Sequence, residues 1–175
     1  IAEEARILLR EEGVGPADPL IGLGVSVPGP ADPSRGMLFN PPNLAGWRDV
    51  PVGPFLQEAL SVPTQIESDA NAAALAEARF GAGRGFSDFV YLTMSTGVGG
   101  GLISGGRLLR GAFGSAGEPG HIPIEANGRP CACGLHGCLE AYVGGNAWRD
   151  HLQQIAPESG RVTQLAGGSR DEITP

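Results

Sequence analysis

Apolar residues follow one another at helical spacing at the start of the chain and as short runs afterwards. The first pattern stops at Gly13 and predicts an amphipathic helix; because residue 1 already lies inside it, we expect the chain to begin within a larger protein. An apolar run at residues 20–27 is stopped by Pro-Gly-Pro at 28–30, which predicts a buried strand that ends in a tight turn. At the other end, Thr174 and Pro175 fit the N-cap and the first position of a further helix.

The middle of the chain alternates between helical and strand patterns. Four elements are predicted there: helix 53–60, strand 62–67, helix 70–80 and strand 89–95. The second of these helices is rich in Ala and is predicted to end at Gly81. Helices and strands in alternation are typical of an α/β domain.

A glycine run at residues 99–101 leads into two short apolar runs around Ser-Gly-Gly at 104–106, which predicts a β-hairpin. In a Rossmann unit or a P-loop, a helix must follow the glycines to receive the phosphates. The chain contains neither Gly-x-Gly-x-x-Gly nor Gly-Lys-Ser/Thr. Strand, glycine-rich turn and strand is instead the phosphate-loop arrangement of actin-like ATPases.

Composition limits the classes of partner. With 175 residues, 41% of them hydrophobic, the chain is long enough for one globular domain or most of one. Net charge is −7 and the 12 Lys and Arg residues are scattered singly, which argues against a nucleic-acid surface and favours small neutral or anionic ligands held with a metal. No apolar run approaches the roughly 20 residues that span a bilayer, so we expect no membrane contact and a soluble, cytoplasmic protein.

The three cysteines of the chain lie in one short glycine-rich loop, so they form no ordinary disulfide framework and indicate a metal. Three thiolates and one imidazole complete a tetrahedral zinc shell, and a closed shell predicts a structural metal. The predicted ligands are His121, Cys131, Cys133 and Cys138. Gly134 and Gly137 allow the backbone to fold tightly enough for the sulfurs to converge. Two alternatives stay open: three free cysteines with a hydrogen-bonded histidine, or His136 in place of His121.

A carboxylate lies where the strand predicted at 62–67 gives way to a helix. Held rigidly there, Asp69 can accept a proton from a hydroxyl that attacks a phosphoryl group, and we predict it to be the general base. The alternative is that Asp69 or Ser68 caps the helix, since both residue types are favoured caps.

Small residues at 95–101 expose backbone N–H groups that can surround phosphate oxygens, and a threonine adds a hydroxyl donor. The predicted phosphate contacts are Thr96, Gly97, Gly99 and Gly100. A tight hairpin without a ligand uses the same glycines, so both interpretations stay open here.

Taken together and in order, six strings resemble the ROK family of sugar kinases and repressors over residues 20–145. They are Pro-Gly-Pro at 28–30, Pro-Asn-Leu at 42–44 with Gly46-Trp47, Asp-Ala-Asn-Ala-Ala at 69–73, Thr-Gly-Val-Gly-Gly-Gly at 96–101, Ala-Gly-Glu-Pro-Gly-His at 116–121, and Cys-Ala-Cys-Gly-Leu-His-Gly-Cys-Leu-Glu at 131–140. The last string, with its metal-ligand spacing, is the most specific.

The resemblance implies an actin-like (RNase H-like) α/β fold of two lobes, here 1–68 and 69–175, with the active site in the cleft. It implies a glucokinase-like hexokinase that moves the γ-phosphoryl group of ATP, bound with Mg²⁺, to a hexose, with Asp69 as catalytic base. The sugar is expected to be glucose, mannose or an N-acetylated hexosamine, and the protein a homodimer or homotetramer.

Four residues match sugar-contacting positions of the family: Asn43, Glu118, His121 and Glu140. Ser68 and Asp69, at the catalytic junction, are expected to contact the sugar as well. Carboxylates and amides each hydrogen-bond sugar hydroxyls and reject analogues that lack them. His121 would bind zinc through one ring nitrogen and face the sugar with the other. Structural alternatives stay open: Asn43 in a Pro-rich turn, Glu118 in a solvated loop, and Glu140 in the first turn of a helix.

The chain departs from the family pattern in two respects. Ser68 stands where many family kinases have Asn, which leaves the sugar preference open. The family's Asp-x-Gly-Gly-Thr phosphate motif does not occur, so we expect this chain alone to be inactive. Two other functions are considered: the effector domain of a sugar-responsive repressor, and a zinc-stabilised interaction domain, which leaves Asn43, Asp69 and Glu118 unexplained.

Overall fold

The structure is a computed structural model that describes residues 1–15, 18, 20–41, 44–112 and 114–175. The chain forms two compact units: Ile1–Ala72 with Arg110–Ala116, and Ala73–Leu109 with Gly117–Pro175. The boundary between the two units lies inside the helix Asp69–Phe80, whereas the sequence predicted it before Asp69. The segment Arg110–Ala116 belongs to the first unit. The lobe boundary before Asp69 therefore stays a prediction.

The first unit is built on a parallel strand pair. Its elements are α1 (Ala2–Glu11), β1 (Leu23–Val27), β2 (Ala31–Asp32), β3 (Met37–Leu38), α2 (Val52–Leu60), β4 (Thr64–Ser68) and the start of α3 (Asp69–Phe80). Strands β1 and β4 run parallel with Val25 opposite Ile66, and β2 and β3 form an antiparallel pair. The core cluster comprises Val27, Ala31, Leu38, Val52, Leu56 and Ile66. This core fixes the carboxyl end of β4, where α3 begins.

The helices and strands predicted for this unit are confirmed within a few residues. Strand β1 starts at Leu23 rather than at residue 20 because Gly22 lies outside the ladder. The two-residue strands β2 and β3 were not predicted, since such short strands carry no periodic signal.

The second unit contains an antiparallel sheet followed by helices. Its elements are the rest of α3, β5 (Phe89–Met94), β6 (Val98–Ser104), β7 (Arg107–Leu108), the 3₁₀ turn Pro119–His121, α4 (Glu140–Val143), α5 (Gly145–Ile155), α6 (Arg161–Leu165) and the 3₁₀ turn Arg170–Glu172. The sheet order is β5-β6-β7. Its core cluster joins Ala74 of α3 to Ile103 and Leu108 of the hairpin. Thr174, the predicted N-cap, lies after the last 3₁₀ turn and outside the described helices.

The predicted hairpin is confirmed, and its turn has a clear chemical basis. Gly105 and Gly106 have φ values of 55° and 73°, the left-handed region that glycine adopts without a steric cost. Asp88 accepts hydrogen bonds from Ser104 Oγ at 2.7 Å and Gly105 N at 2.9 Å. Hydrogen bonds from the Ser87 and Ser104 hydroxyls, with that amide, lower the pKa of Asp88 to about 2. The carboxylate thus fastens the turn.

Strand β6 begins at Val98, so Gly99 and Gly100 lie inside the sheet opposite Thr93 and Leu92. A Cβ at Gly100 would lie 2.6 Å from Pro119 Cγ and 2.6 Å from Tyr91 O. Close packing therefore requires glycine at this position, and the phosphate contact predicted for Gly100 stays a prediction. In the part of the chain that the structure describes, no helix is both long and apolar enough to cross a membrane.

Candidate functional site

The predicted metal ligands converge in the second unit. One ligand atom from each of four side chains lies within 4.8 Å of the others: His121, Cys131, Cys133 and Cys138. Cys138 is fully buried, His121 and Cys131 are half-buried, and Cys133 is exposed. His136, in the same loop, is exposed and is not a member of this cluster. The geometry therefore favours His121 over His136.

The spacing within the cluster fits a tetrahedral metal. Cys131 Sγ lies 3.6 Å from His121 Nδ1, and Cys133 Sγ lies 3.7 Å from Cys138 Sγ. A tetrahedral shell with Zn–S of about 2.3 Å and Zn–N of about 2.0 Å places N and S ligands roughly 3.5 Å apart and two sulfurs roughly 3.8 Å apart. The cluster is thus compatible with zinc, and Nδ1 is the ring nitrogen of His121 that faces it.

The loop folds around these ligands through two glycines and a short turn. Gly134 has a φ of 90°, and its N–H bonds to Cys131 O at 3.0 Å while Cys131 N bonds to Leu135 O at 2.8 Å. Gly137 has a φ of 76°, and a Cβ there would overlap the carbonyl oxygen of Glu125. Both glycines are required by the backbone, as the sequence predicted.

Burial, together with the neighbouring thiols of Cys133 and Cys131, raises the pKa of the Cys138 thiol to about 12. Three thiolates at this spacing repel one another unless a cation lies among them. The donor set and its burial together suit a structural metal more than three free thiols.

His121→Asn and His136→Asn form a matched pair that tests the ligand assignment. We expect His121→Asn to reduce the zinc bound per chain of the full-length protein and to weaken its affinity by about 10-fold or more, since one ligand of a closed shell is removed. His136→Asn should leave both unchanged. Metal content by atomic emission and competition with a chromogenic chelator measure the two effects; the reverse result would assign the site to His136.

Glu140 connects this loop to the glycine turn between β5 and β6. It is the first residue of α4, two positions after the ligand Cys138, and its Oε2 accepts a hydrogen bond from Val98 N at 2.7 Å. A Cβ at Gly97 would overlap the same carboxylate. Glu140 therefore holds the predicted phosphate turn, a contact that the sequence did not indicate. No donor among the described residues bonds to its Oε1.

The same turn is held from its other side by the start of α5. Gly145 N donates to Ser95 O at 2.8 Å and Asn146 N donates to Thr96 O at 3.0 Å. Two amides of the first helical turn, which have no partner inside the helix, are satisfied in this way. Thr96 is exposed, so its hydroxyl remains accessible to a ligand. A cleft of about 480 Å³ adjoins it, lined by Thr96, Glu140, Asn146, Asp150 and His151 among others.

Asp69 lies in the first unit, as the first residue of α3 directly after β4. Its Oδ1 accepts a hydrogen bond from Ala70 N at 2.8 Å, and the side chain is exposed. Ser68 Oγ accepts a weaker hydrogen bond from Asn71 N at 3.4 Å, the contact expected of an N-cap. The capping position therefore belongs to Ser68, and the Asp69 carboxylate is accessible to solvent.

Three residues around this junction were not predicted as site residues. Glu67 accepts hydrogen bonds from Asn71 Nδ2 at 3.1 Å and from Arg110 Nε at 2.7 Å. Asn71 is only 2% exposed. Glu67 and Arg110 are far apart in the sequence, so no local spacing could have indicated their contact.

The remaining predicted sugar contacts are only partly described. Asn43 lies outside the described residues. Glu118 is exposed and directly precedes the 3₁₀ turn Pro119–His121, whose His121 N donates to Glu118 O at 3.1 Å. Glu118 thus directly precedes the turn that contains the predicted metal ligand His121. Ser68 and Asp69 belong to the first unit, and Glu118, His121 and Glu140 to the second.

Comparison with known proteins identifies the relatives of this chain. The family model described as ROK family matches residues 11–173. A glucokinase of Streptomyces coelicolor is 36% identical over 166 residues, which cover 93% of this chain and 52% of the relative. A xylose repressor of Bacillus spizizenii is 42% identical over 134 residues, 77% of this chain and 34% of the relative. A ROK family glucokinase from Streptomyces griseus, solved with glucose and AMPPNP, superposes with a TM-score of 0.79 at 34% identity, covering 99% of this chain and 56% of that one.

The chain belongs to the ROK family, as its motifs predicted. Its fold is accordingly part of the actin-like (RNase H-like) α/β fold of ROK sugar kinases, which confirms the predicted fold class. The chain spans between 34% and 56% of the length of the three relatives. Both kinases and repressors occur among them.

Proposed function

We propose that the full-length protein containing this chain is a glucokinase-like hexose kinase, which transfers the γ-phosphoryl group of ATP to a sugar hydroxyl. The observation that carries this proposal is the exposed carboxylate of Asp69 at the junction of β4 and α3. A base at this place can accept the proton of the attacking hydroxyl as the bond to phosphorus forms. Neither sugar binding nor regulation requires such a base.

Thr96 and the turn at Gly97 supply the donors proposed for the phosphoryl oxygens, where negative charge accumulates during transfer. Val98 N already donates to Glu140, whereas the described residues offer no hydrogen-bond partner to the Thr96 hydroxyl or the Gly97 amide, which are proposed to bind the ligand. Gly99 and Gly100 are proposed to let β6 approach closely enough for the turn to reach the phosphates. Mg²⁺ bound with ATP would neutralise phosphate charge when present.

The sugar is proposed to contact Asn43, Ser68, Asp69, Glu118, His121 and Glu140. In this arrangement His121 uses Nδ1 for zinc and presents Nε2 to a hydroxyl, while Glu140 uses Oε2 for Val98 N and presents Oε1. The zinc is proposed to be structural: His121 and the three thiolates would complete a closed tetrahedral shell, which would leave no position for a substrate.

A repressor effector domain is the second candidate, because the Bacillus spizizenii xylose repressor is 42% identical over 77% of this chain. In that case the same residues would bind sugar without transfer. The glycine turn and Asp69 favour the kinase, since a regulator needs neither.

Calorimetric titration of the zinc-loaded full-length protein with glucose, mannose and their N-acetylated forms tests the proposal, followed by ATP consumption with each sugar that binds. We expect one of these sugars to bind and to be phosphorylated. Binding without turnover would replace the kinase with the repressor, and no binding by any of the four would overturn the sugar-site assignment.

A further inference from the structure

We propose that Glu67 and Arg110 form an ion pair that positions Asp69 for proton transfer. Arg110 Nε donates to Glu67 Oε2 at 2.7 Å, and the Glu67 side chain is 14% exposed whereas that of Arg110 is 46% exposed. The proposal rests on the proposed function, because it concerns the group that acts as base there. In this proposal both residues act through Asp69, so both are positioning residues.

Glu67 holds the junction between β4 and α3 from within. It pairs with Ser26 in the parallel β1-β4 ladder, which fixes its backbone. Its Oε1 accepts hydrogen bonds from Ser68 N and from Asn71 Nδ2, both at 3.1 Å. Asp69 lies between these two donors in the sequence, so the turn that carries its carboxylate is held on both sides by one glutamate.

Arg110 connects this glutamate to a distant segment of the same unit. Arg110–Ala116 belongs to the first unit, and Ala116 N donates to Arg110 O at 3.0 Å, which closes the segment into a loop. A Cβ at Gly114 would lie 2.7 Å from Ala31 O, so the loop packs closely beside β2. The loop directly precedes Gly117 and Glu118 in the sequence. One ion pair therefore links the Asp69 turn to the segment that leads to the proposed sugar contacts.

Loss of the Arg110 side chain is expected to displace Asp69. A mostly buried Glu67 carboxylate would lose its only salt-bridge partner in the described chain. Glu67 would then move toward solvent and release Ser68 N and Asn71 Nδ2, which shifts Asp69. A displacement of about 1 Å at a reacting group lowers the rate by up to roughly 100-fold, while sugar contacts made elsewhere persist.

The test compares Arg110→Gln, Arg110→Lys, Glu67→Gln and the double variant Glu67→Gln/Arg110→Gln in the full-length protein, with the exposed Arg107→Gln of β7 as the matched control. We expect Arg110→Gln to lower kcat by about 10- to 100-fold with KM for sugar changed by less than about threefold. Arg110→Lys should recover part of kcat because it keeps the cation, and the control should match the wild type.

The double variant decides whether the two residues act as a unit. If they do, its kcat is no lower than that of Arg110→Gln, because the interaction is already lost in the single variant. Additive losses, or a kcat for Arg110→Gln within about twofold of the wild type, would overturn the positioning role. Should Arg110→Gln fail to fold, Glu67→Gln replaces it: a kcat for Glu67→Gln within about twofold of the wild type would overturn the positioning role.

Amide hydrogen exchange separates failure of this proposal from failure of the proposed function. If the wild type transfers no phosphoryl group to any sugar, the kinase proposal is overturned, but the ion pair still predicts faster exchange at residues 68–72 in Arg110→Gln than in Arg107→Gln. Equal exchange in those two variants would overturn the positioning role whatever the activity.

Discussion

Asp69→Asn in the full-length protein is expected to lose nearly all phosphoryl transfer while sugar affinity stays within about threefold of the wild type. The amide keeps the size of the carboxylate and its acceptor for Ala70 N, but it cannot take a proton from the attacking hydroxyl. Loss of a general base lowers kcat by about 10²- to 10⁴-fold. Coupled ATP consumption measures the rate and calorimetry measures the sugar affinity.

Asp171→Asn is the matched control for this experiment. Asp171 is also exposed, and it lies in the short 3₁₀ turn Arg170–Glu172 of the second unit, outside the proposed machinery. Its variant should retain wild-type kcat and sugar affinity. Equal losses of sugar binding and phosphoryl transfer in Asp69→Asn would contradict the assignment of Asp69 as general base, because they would indicate a structural contribution instead.

The elements that the sequence predicted most accurately are those whose residues carry a local signal for helix or strand. Helix α3 and strand β5 were predicted within one residue at each end, because an Ala-rich helix that ends in glycine and a β-branched, aromatic strand carry their signal within the element. The return of Arg110–Ala116 to the first unit was not predicted. It depends on contacts with residues far away in the sequence, and no periodicity records these.

The candidate site shows the same limit. The metal ligands were predictable because His121 and the three cysteines lie within one stretch of chain, and ligand chemistry restricts the set. The sequence predicted His121 and left His136 open, and the three-dimensional distances favour His121. The contact of Glu140 with Val98 N spans 42 positions, and the ion pair of Glu67 with Arg110 spans 43. Neither contact could be predicted from the charge of the residues and their spacing in the sequence.

The role of a glycine is difficult to predict from sequence, because glycine occurs both where a ligand approaches the backbone and where protein atoms pack closely. Gly100 has no space for a side chain beside Pro119, and Gly97 has none beside the Glu140 carboxylate. The sequence showed one continuous run, whereas the structure divides it into a turn at Gly97 and a strand from Val98 onward. Contact with a ligand and close packing of protein atoms produce the same composition, so the sequence left both interpretations open.

Cys138→Ser is expected to remove the bound metal from the full-length protein and to loosen the glycine turn between β5 and β6. Cys138 is fully buried, and Cys138 O accepts a hydrogen bond from Ala141 N at 3.0 Å in the helix that carries Glu140. A structural zinc contributes about 10–16 kcal/mol of apparent binding free energy in small metal domains, so its loss should unfold the loop locally. Atomic emission measures the metal, and hydrogen exchange measures the protection of Val98 N.

Comparing Cys138→Ser, chelator-treated wild type and substitutions of Glu140 distinguishes a metal that stabilises the turn from one that stabilises only its own loop. If Glu140 transmits the effect, Cys138→Ser and chelator-treated wild type should both show fast exchange at Val98, and zinc should restore protection in the wild type alone. Glu140→Gln keeps a side-chain oxygen as acceptor and full metal content, so it should retain most of that protection, whereas Glu140→Ala should lose it with the metal still bound. Metal loss without faster exchange at Val98 would show that Glu140 holds the turn independently of the cluster, since the hydrogen bond would then survive the unfolding of the loop that precedes it.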